Sequence, residues 1–159
     1  MKTIEIIGKN FRSAANTRIA CRGIVAEKGK ILLSHETRTD WWMIPGGGLE
    51  GEESNEDCCI REVLEETGLR VSPEECFLEL KECYGDWCFI SYFFRCAITG
   101  QGARQLTEQE AIRGLMPEWV TLEEALDIFG AHESYAGINE EKRGLYLREY
   151  RALKAFSET

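Results

Sequence analysis

Two hydrophobic periods run along the chain and separate its strands from its helices. Ile4, Ile6 and Ile7 suggest a short first strand. Residues 18–26 and 30–34 read as two strands joined at Glu27-Lys28-Gly29, a hairpin with glycine in its turn. A turn-rich stretch over 41–51 follows, with Pro45 and three consecutive glycines. The spacing then predicts a helix over 54–67. Ser54 with Asp57 three residues on resembles the start of a capping box, and Gly68 is a suitable stop. Ile60, Val63, Leu64 and Thr67 fall at i, i+3, i+4 and i+7, one face for a core. Residues 76–84 and 88–97 read as long strands, the second carrying Phe89, Ile90, Tyr92, Phe93 and Phe94. A short strand over 118–121 leads into a helix over 122–129, and Tyr146, Tyr150 and Leu153 mark a final helix. Strands on both sides of a central helix, with more helix at the end, predict an α/β fold: a mixed sheet covered by helices.

Composition narrows this without redirecting it. At 159 residues, 43% hydrophobic and 30% charged, the chain is expected to fold as one domain over 1–159. A net charge of −9, almost all of the acid being glutamate, works against binding duplex nucleic acid. The longest apolar runs are far short of a membrane span, and the first residues lack a signal peptide's apolar core, so a cytoplasmic location is expected. Seven cysteines (21, 58, 59, 76, 83, 88 and 96) form no CxxC pair. They are expected to be reduced and to pack as small hydrophobes. His35 and His132 lie far apart in sequence, and neither suggests a Cys–His catalytic pair.

Chemistry concentrates between Gly47 and Leu69. Glu62, Glu65 and Glu66 are three and four residues apart, which puts three carboxylates on one helix face. Such a face is ordinarily just solvated, and like charges at these spacings repel by a few tenths of a kcal/mol per pair. A hard divalent cation would relieve them, since oxygen-only donors suit Mg²⁺ or Mn²⁺. Just upstream lies a glycine-rich loop, Gly46-Gly47-Gly48, where bare backbone can approach a phosphate. Carboxylates, divalent metal and a glycine loop together describe pyrophosphate hydrolysis.

The full pattern, Gly47, five residues, Glu53, seven residues, then Arg61-Glu62-Val63-Leu64-Glu65-Glu66-Thr67-Gly68-Leu69, resembles the Nudix box at all nine specified positions. Trp42-Met43-Ile44-Pro45-Gly46-Gly47 looks like the family's lead-in, while Glu52 stands where many relatives carry glycine. The resemblance implies an α/β/α sandwich with a mixed β-sheet and metal-dependent cleavage of nucleoside diphosphate-linked compounds. It further implies Glu62, Glu65 and Glu66 as catalytic residues and metal ligands, with Glu62 as ligand or general base, and a salt bridge between Glu53 and Arg61. Relatives often draw one more carboxylate from a later loop, here Glu108 or Glu110, and Glu110 is taken as the further metal ligand. Gly46, Gly47 and Tyr84 are the substrate-binding candidates. Tyr84 lies near where some dinucleoside-polyphosphate hydrolases place a tyrosine, whereas the proline expected after the box in ADP-ribose hydrolases is absent.

Trp41, Trp42 and Trp87 are further stacking candidates, and the basic residues Lys142, Arg143, Arg148, Arg151 and Lys154 are expected to form a solvated face of the last helix. The expected partners are a small nucleotide or diphosphate substrate and, in a homodimer, a second copy of the chain, with neither duplex nucleic acid nor membrane. The alternatives are a Nudix-fold ligand sensor or binding module without hydrolase activity, and a hydrolase of a non-nucleotide diphosphate. A sensor would be expected to have lost box carboxylates, and this chain keeps them all.

Overall fold

The computed structural model describes all 159 residues. The first half runs β1 (Lys2–Ile7), β2 (Asn16–Glu27), β3 (Lys30–Glu36), β4 (Trp41–Met43), β5 (Gly46–Gly48) and α1 (Asn55–Thr67). The second runs β6 (Leu69–Tyr84), β7 (Trp87–Gln101), α2 (Glu108–Ile112), β8 (Leu115–Thr121), α3 (Leu122–Gly130), a 3-10 turn (Ala131–Tyr135) and α4 (Glu140–Ser157). The sheet is mixed, as expected. β1 lies parallel to β6, β6 antiparallel to β7, and β7 parallel to β2. β3 carries β4 and β8 on its two edges, both antiparallel. The β2–β3 hairpin turns where the pattern placed it: Lys28 and Gly29 both have positive φ, which matches the twist of the flanking strands.

Side-chain alternation makes this sheet the middle layer of an α/β/α sandwich. On β7, neighbouring Phe93 and Phe94 face opposite ways. Phe93 joins Ile24, Leu78, Phe129, Tyr146 and Leu153 in the core beneath α3 and α4. Phe94 joins Cys21, Val25, Cys59, Val63 and Val71 beneath α1. Burying both faces is what demands helices on both sides.

Several expectations change. The buried face of α1 is Cys58, Cys59, Val63, Glu66 and Thr67, while Ile60 and Leu64 are only half-buried. The face is rotated because Cys58 and Cys59 serve as small core residues and because Glu66 finds polar partners inside. The stretch over 41–51 contains two short strands, and β5 pairs with Ala20–Arg22 of β2 despite being all glycine. The helix α2 is an addition, stabilised by a capping box in which Thr107 and Glu110 exchange hydrogen bonds.

Cys83 and Cys88, opposite one another at the β6–β7 turn with Cα atoms 4.2 Å apart, form a disulfide. That corrects the all-reduced expectation for these two, because antiparallel pairing brings together residues that no CxxC spacing marks. The other five cysteines are free, four of them buried. The basic residues of α4 do not form a solvated face either. Arg151 and Lys154 are exposed, but Lys142 is buried with Nζ donating to the Asp40 carbonyl, and Arg148 is enclosed between Glu82 and Glu149. No helix is long and apolar enough to cross a membrane.

Candidate active site

The helix α1 starts and stops on local chemistry. Ser54 Oγ accepts from the Asp57 N–H, and Gly68 takes the left-handed conformation with its N–H donating to Leu64 O. Asp57 and Glu56 occupy the first turn, where negative charge complements the helix dipole.

Arg61 ties this helix to the loop before it. Its Nη2 and Nε donate to the two oxygens of Glu53 at 2.6 and 3.1 Å, and Nη2 also reaches Gly48 O at 3.1 Å. Its Nη1 faces Glu62 at 2.9 Å, Glu65 at 3.3 Å and Glu50 at 3.7 Å. One guanidinium therefore neutralises part of a four-carboxylate arc. The hydrogen bonds from Arg61 hold the Glu53 carboxyl down at about 2, and the same contacts keep Arg61 firmly protonated.

The three box glutamates part company above the backbone. Glu62 and Glu65 lean toward Arg61, while Glu66 turns into the protein and is almost fully buried. Glu66 Oε1 accepts from Ser34 Oγ at 2.9 Å, and Oε2 accepts from the Gly46 N–H at 3.3 Å. Burial pushes its carboxyl up to about 8 against the opposing Ser34 hydrogen bond, and the charges of Glu62 and Glu110 add to the rise. Burial also raises Glu62, with Arg61 opposing and Glu65 and Glu110 reinforcing. The Glu62 carboxylate lies directly against Gly47: a Cβ there would come within 2.5–2.7 Å of its carbon and oxygens. Glycine at 47 is thus required for Glu62 to keep its place. Glu110 is half-buried and its charge reaches both Glu62 and Glu66, although one oxygen caps α2; Glu108 is exposed.

No three His, Cys, Asp or Glu side chains converge as a ready-made metal cage, so a shared helix face does not by itself assemble one. The donor set nevertheless suits a hard divalent cation. It is all oxygen, and burial and mutual repulsion make two of its carboxyl groups, Glu62 and Glu66, costly to ionise without a cation. Arg61 already stands as a cation on two of its members.

Glu66 makes a pH prediction for the metal-free protein. Its folded pKa of about 8 lies above the ordinary 4.5, so the folded state holds this proton more tightly than the unfolded chain. That contribution to stability is complete below pH 4.5 and is lost as pH rises through about 8. Urea titrations in EDTA should therefore show wild type losing stability over this range, and Glu66→Gln losing less. Equal losses in the two proteins would place the titrating group elsewhere.

Gly47 and Gly48 also edge a cavity of about 1090 Å³ that runs between β2, β7 and the N-terminal half of α4. Ile6, Phe89 and Leu145 provide apolar walls, and Tyr84 lines it with Arg18, Arg22, Arg143 and Arg148. Of the aromatic candidates only Tyr84 is among its lining residues. Trp42 stacks on His35, Trp41 lies beside Lys142, and Trp87 is exposed against Phe89. Ser34 and Arg22 belong to no motif along the chain; each is a polar residue within a strand pattern, and that is the one signal in the sequence that points to them.

A family model for the NUDIX domain matches residues 16–140. The chain is 33% identical over 119 residues to a MutT-like protein of Streptomyces ambofaciens, covering 69% of this chain and 76% of that one. It is 29% identical over 118 residues to diphosphoinositol polyphosphate phosphohydrolase 3-alpha of Mus musculus, covering 73% and 70%. Among solved structures, a NUDIX hydrolase from Nitrosomonas europaea superposes with a TM-score of 0.61 at 21% identity, over 86% and 90% of the two chains, a likeness of fold. With the box intact on a helix whose Arg61 and Glu53 are paired, and the family model spanning most of its length, the chain belongs to the Nudix hydrolases, enzymes that cleave pyrophosphate bonds.

Proposed function

We propose that the protein is a divalent-metal-dependent hydrolase of nucleoside diphosphate-linked compounds. The observation that carries this reading is the meeting of box and cavity at Gly47–Gly48: the strand that touches Glu62 also edges a space large enough for a nucleotide. Glu62, Glu65, Glu66 and Glu110 would hold Mg²⁺ or Mn²⁺, which when bound supplies charge neutralisation for the diphosphate and acidifies a water. Gly46 and Gly47 let the diphosphate approach the backbone closely, and Tyr84 offers a face to the base or other leaving group. One box glutamate, with Glu62 the candidate as ligand or general base, accepts the proton of the attacking water. The water oxygen forms the new bond to phosphorus, the bridging P–O bond breaks, and two phosphorylated products leave. Arg61 and Glu53 position Glu62 and Glu65 rather than touch the substrate.

The test is a hydrolysis screen with Mg²⁺ or Mn²⁺ in which products are read as phosphate after phosphatase coupling. It should include dNTPs, NDP-sugars, ADP-ribose, NADH, coenzyme A, dinucleoside polyphosphates and diphosphoinositol polyphosphates. Turnover of a nucleotide class that stops in EDTA supports the reading. Preferred turnover of the inositol class would move it to a non-nucleotide diphosphate. No turnover by folded protein would favour a binding module.

A melt tests the ligand assignment without any substrate. A cation bound only by the folded state stabilises it by about 2.7 kcal/mol at a hundredfold excess over Kd. For a chain of this length that is roughly 5–10 °C in Tm. Glu62→Gln/Glu66→Gln should lose this gain and, without metal above about pH 8, melt no lower than wild type because two charges that burial resists are gone. An equal Mg²⁺ shift in both proteins would place the cation elsewhere.

A further inference from the structure

The cationic side chains around the cavity differ in what already holds them. Arg143 is engaged by Glu140 at 2.6 Å, with Glu133 at 3.9 Å. Arg148 is engaged by Glu149 at 2.7 Å, with Glu82 at 3.9 Å. Lys9 and Arg18 are exposed, so water satisfies them. Arg22 is different. It is half-buried on the cavity wall, its Nε is enclosed with no hydrogen-bond partner, and two of the carboxylates whose charge reaches it, Glu82 and Glu149, are turned to Arg148.

Enclosing a guanidinium N–H without a hydrogen-bond partner is costly. Burial works against the charged guanidinium and Arg148 adds repulsion, while Glu149, Glu66 and Glu82 offset this only through space, without an ion pair or hydrogen bond to Arg22. The simplest occupant for such a position is an anion that arrives from the cavity. Backbone register says where that anion would rest. Arg22 pairs with Gly46, and strand alternation puts Arg18, Ala20 and Arg22 on one side of β2, all lining the cavity beside Gly47 and Gly48.

We propose that Arg22 is a substrate-binding residue that receives the phosphate on the cavity side of the scissile bond. This rests on the proposed diphosphate hydrolysis at the same site. The planar fork of the guanidinium suits a phosphate's paired oxygens. It takes the phosphoryl group on the side away from the box carboxylates, so the diphosphate lies along the glycine strand between an acidic and a basic end. In the absence of substrate the residue contributes nothing to stability that an apolar side chain of similar length would not.

The test compares wild type, Arg22→Met and Arg22→Lys in EDTA, with inorganic pyrophosphate as the probe and binding read by calorimetry and melting. Wild type should bind pyrophosphate, Arg22→Met at least tenfold more weakly, and Arg22→Lys in between. Metal-free, ligand-free Arg22→Met should melt at or above wild type, which a purely structural arginine would not allow. Equal pyrophosphate affinity in wild type and Arg22→Met, no binding by wild type, or a methionine variant that melts well below wild type or fails to fold would each overturn the proposal. Turnover separates it from the reading it rests on. If wild type hydrolyses a diphosphate and Arg22→Met does so with unchanged kcat/KM, the anion site fails and the hydrolase stands. If pyrophosphate binds through Arg22 but nothing in the screen is hydrolysed, the anion site stands and the hydrolase fails.

Discussion

Replacing Glu66 by glutamine is expected to lower kcat by at least ~100-fold at saturating Mg²⁺, about the loss that follows removal of one fixed electrostatic contact to a reacting centre. The side chain is buried, keeps a carbonyl oxygen for Ser34 or Gly46, and changes little in volume, so the variant should fold. What it loses is a charge that burial already resists. Steady-state kinetics with metal, alongside melts with and without Mg²⁺, separate the two consequences: activity and the metal-induced gain in Tm should fall together, while the metal-free Tm should not. Wild-type rates in the glutamine variant, or in EDTA, would sink the role given to this carboxylate.

Arg61→Met should have the largest effect on stability. The residue bridges the loop and α1 through Glu53, Gly48, Glu62 and Glu65, and it is mostly shielded from water. Removing it leaves several carboxylates facing one another without a cation, a change that costs about 3–5 kcal/mol in a fully buried pair and, with this pair partly screened by water, about 2–4 kcal/mol. For a chain of this size that lowers Tm by roughly 4–16 °C. Activity should fall as well, since Glu62 and Glu65 lose the group that orients them. Melts of Arg61→Met, Glu53→Gln and the double variant form a cycle, with an expected coupling of at least ~1 kcal/mol. Strict additivity would mean that the short Glu53–Arg61 contact carries no joint stabilisation.

Both predictions start from residues readable in the sequence, yet they differ in what made them readable. The separation of Glu53 from Arg61 spans one loop and two helical turns, so the pairing is nearly local. The inward turn of Glu66 is not. It depends on Ser34, 32 residues earlier, and on a Gly46 N–H freed by strand pairing rather than by any pattern along the helix. From spacing alone Glu62, Glu65 and Glu66 are equivalent members of one face. Burial then makes Glu66 a carboxyl that resists ionisation and leaves Glu65 beside a guanidinium.

Elements whose signals are short-range are legible along the chain. These are the β2–β3 hairpin with its positive-φ turn, the capped helix α1, the order of the longer strands and helices, and the nine-position box that identifies the family. Hydrogen-bond geometry in turns and caps acts over a few residues, so residue type at fixed offsets is enough. Which polar groups are desolvated, and by whom, follows from long-range packing. Pairing of β5 with β2 placed Gly46 beside Arg22, the β6–β7 hairpin joined Cys83 to Cys88, and packing of α4 on the sheet enclosed Arg148 while leaving Arg22 without a partner. Desolvation and charge pairing depend on every neighbour within several ångströms, and most of those neighbours come from distant parts of the chain.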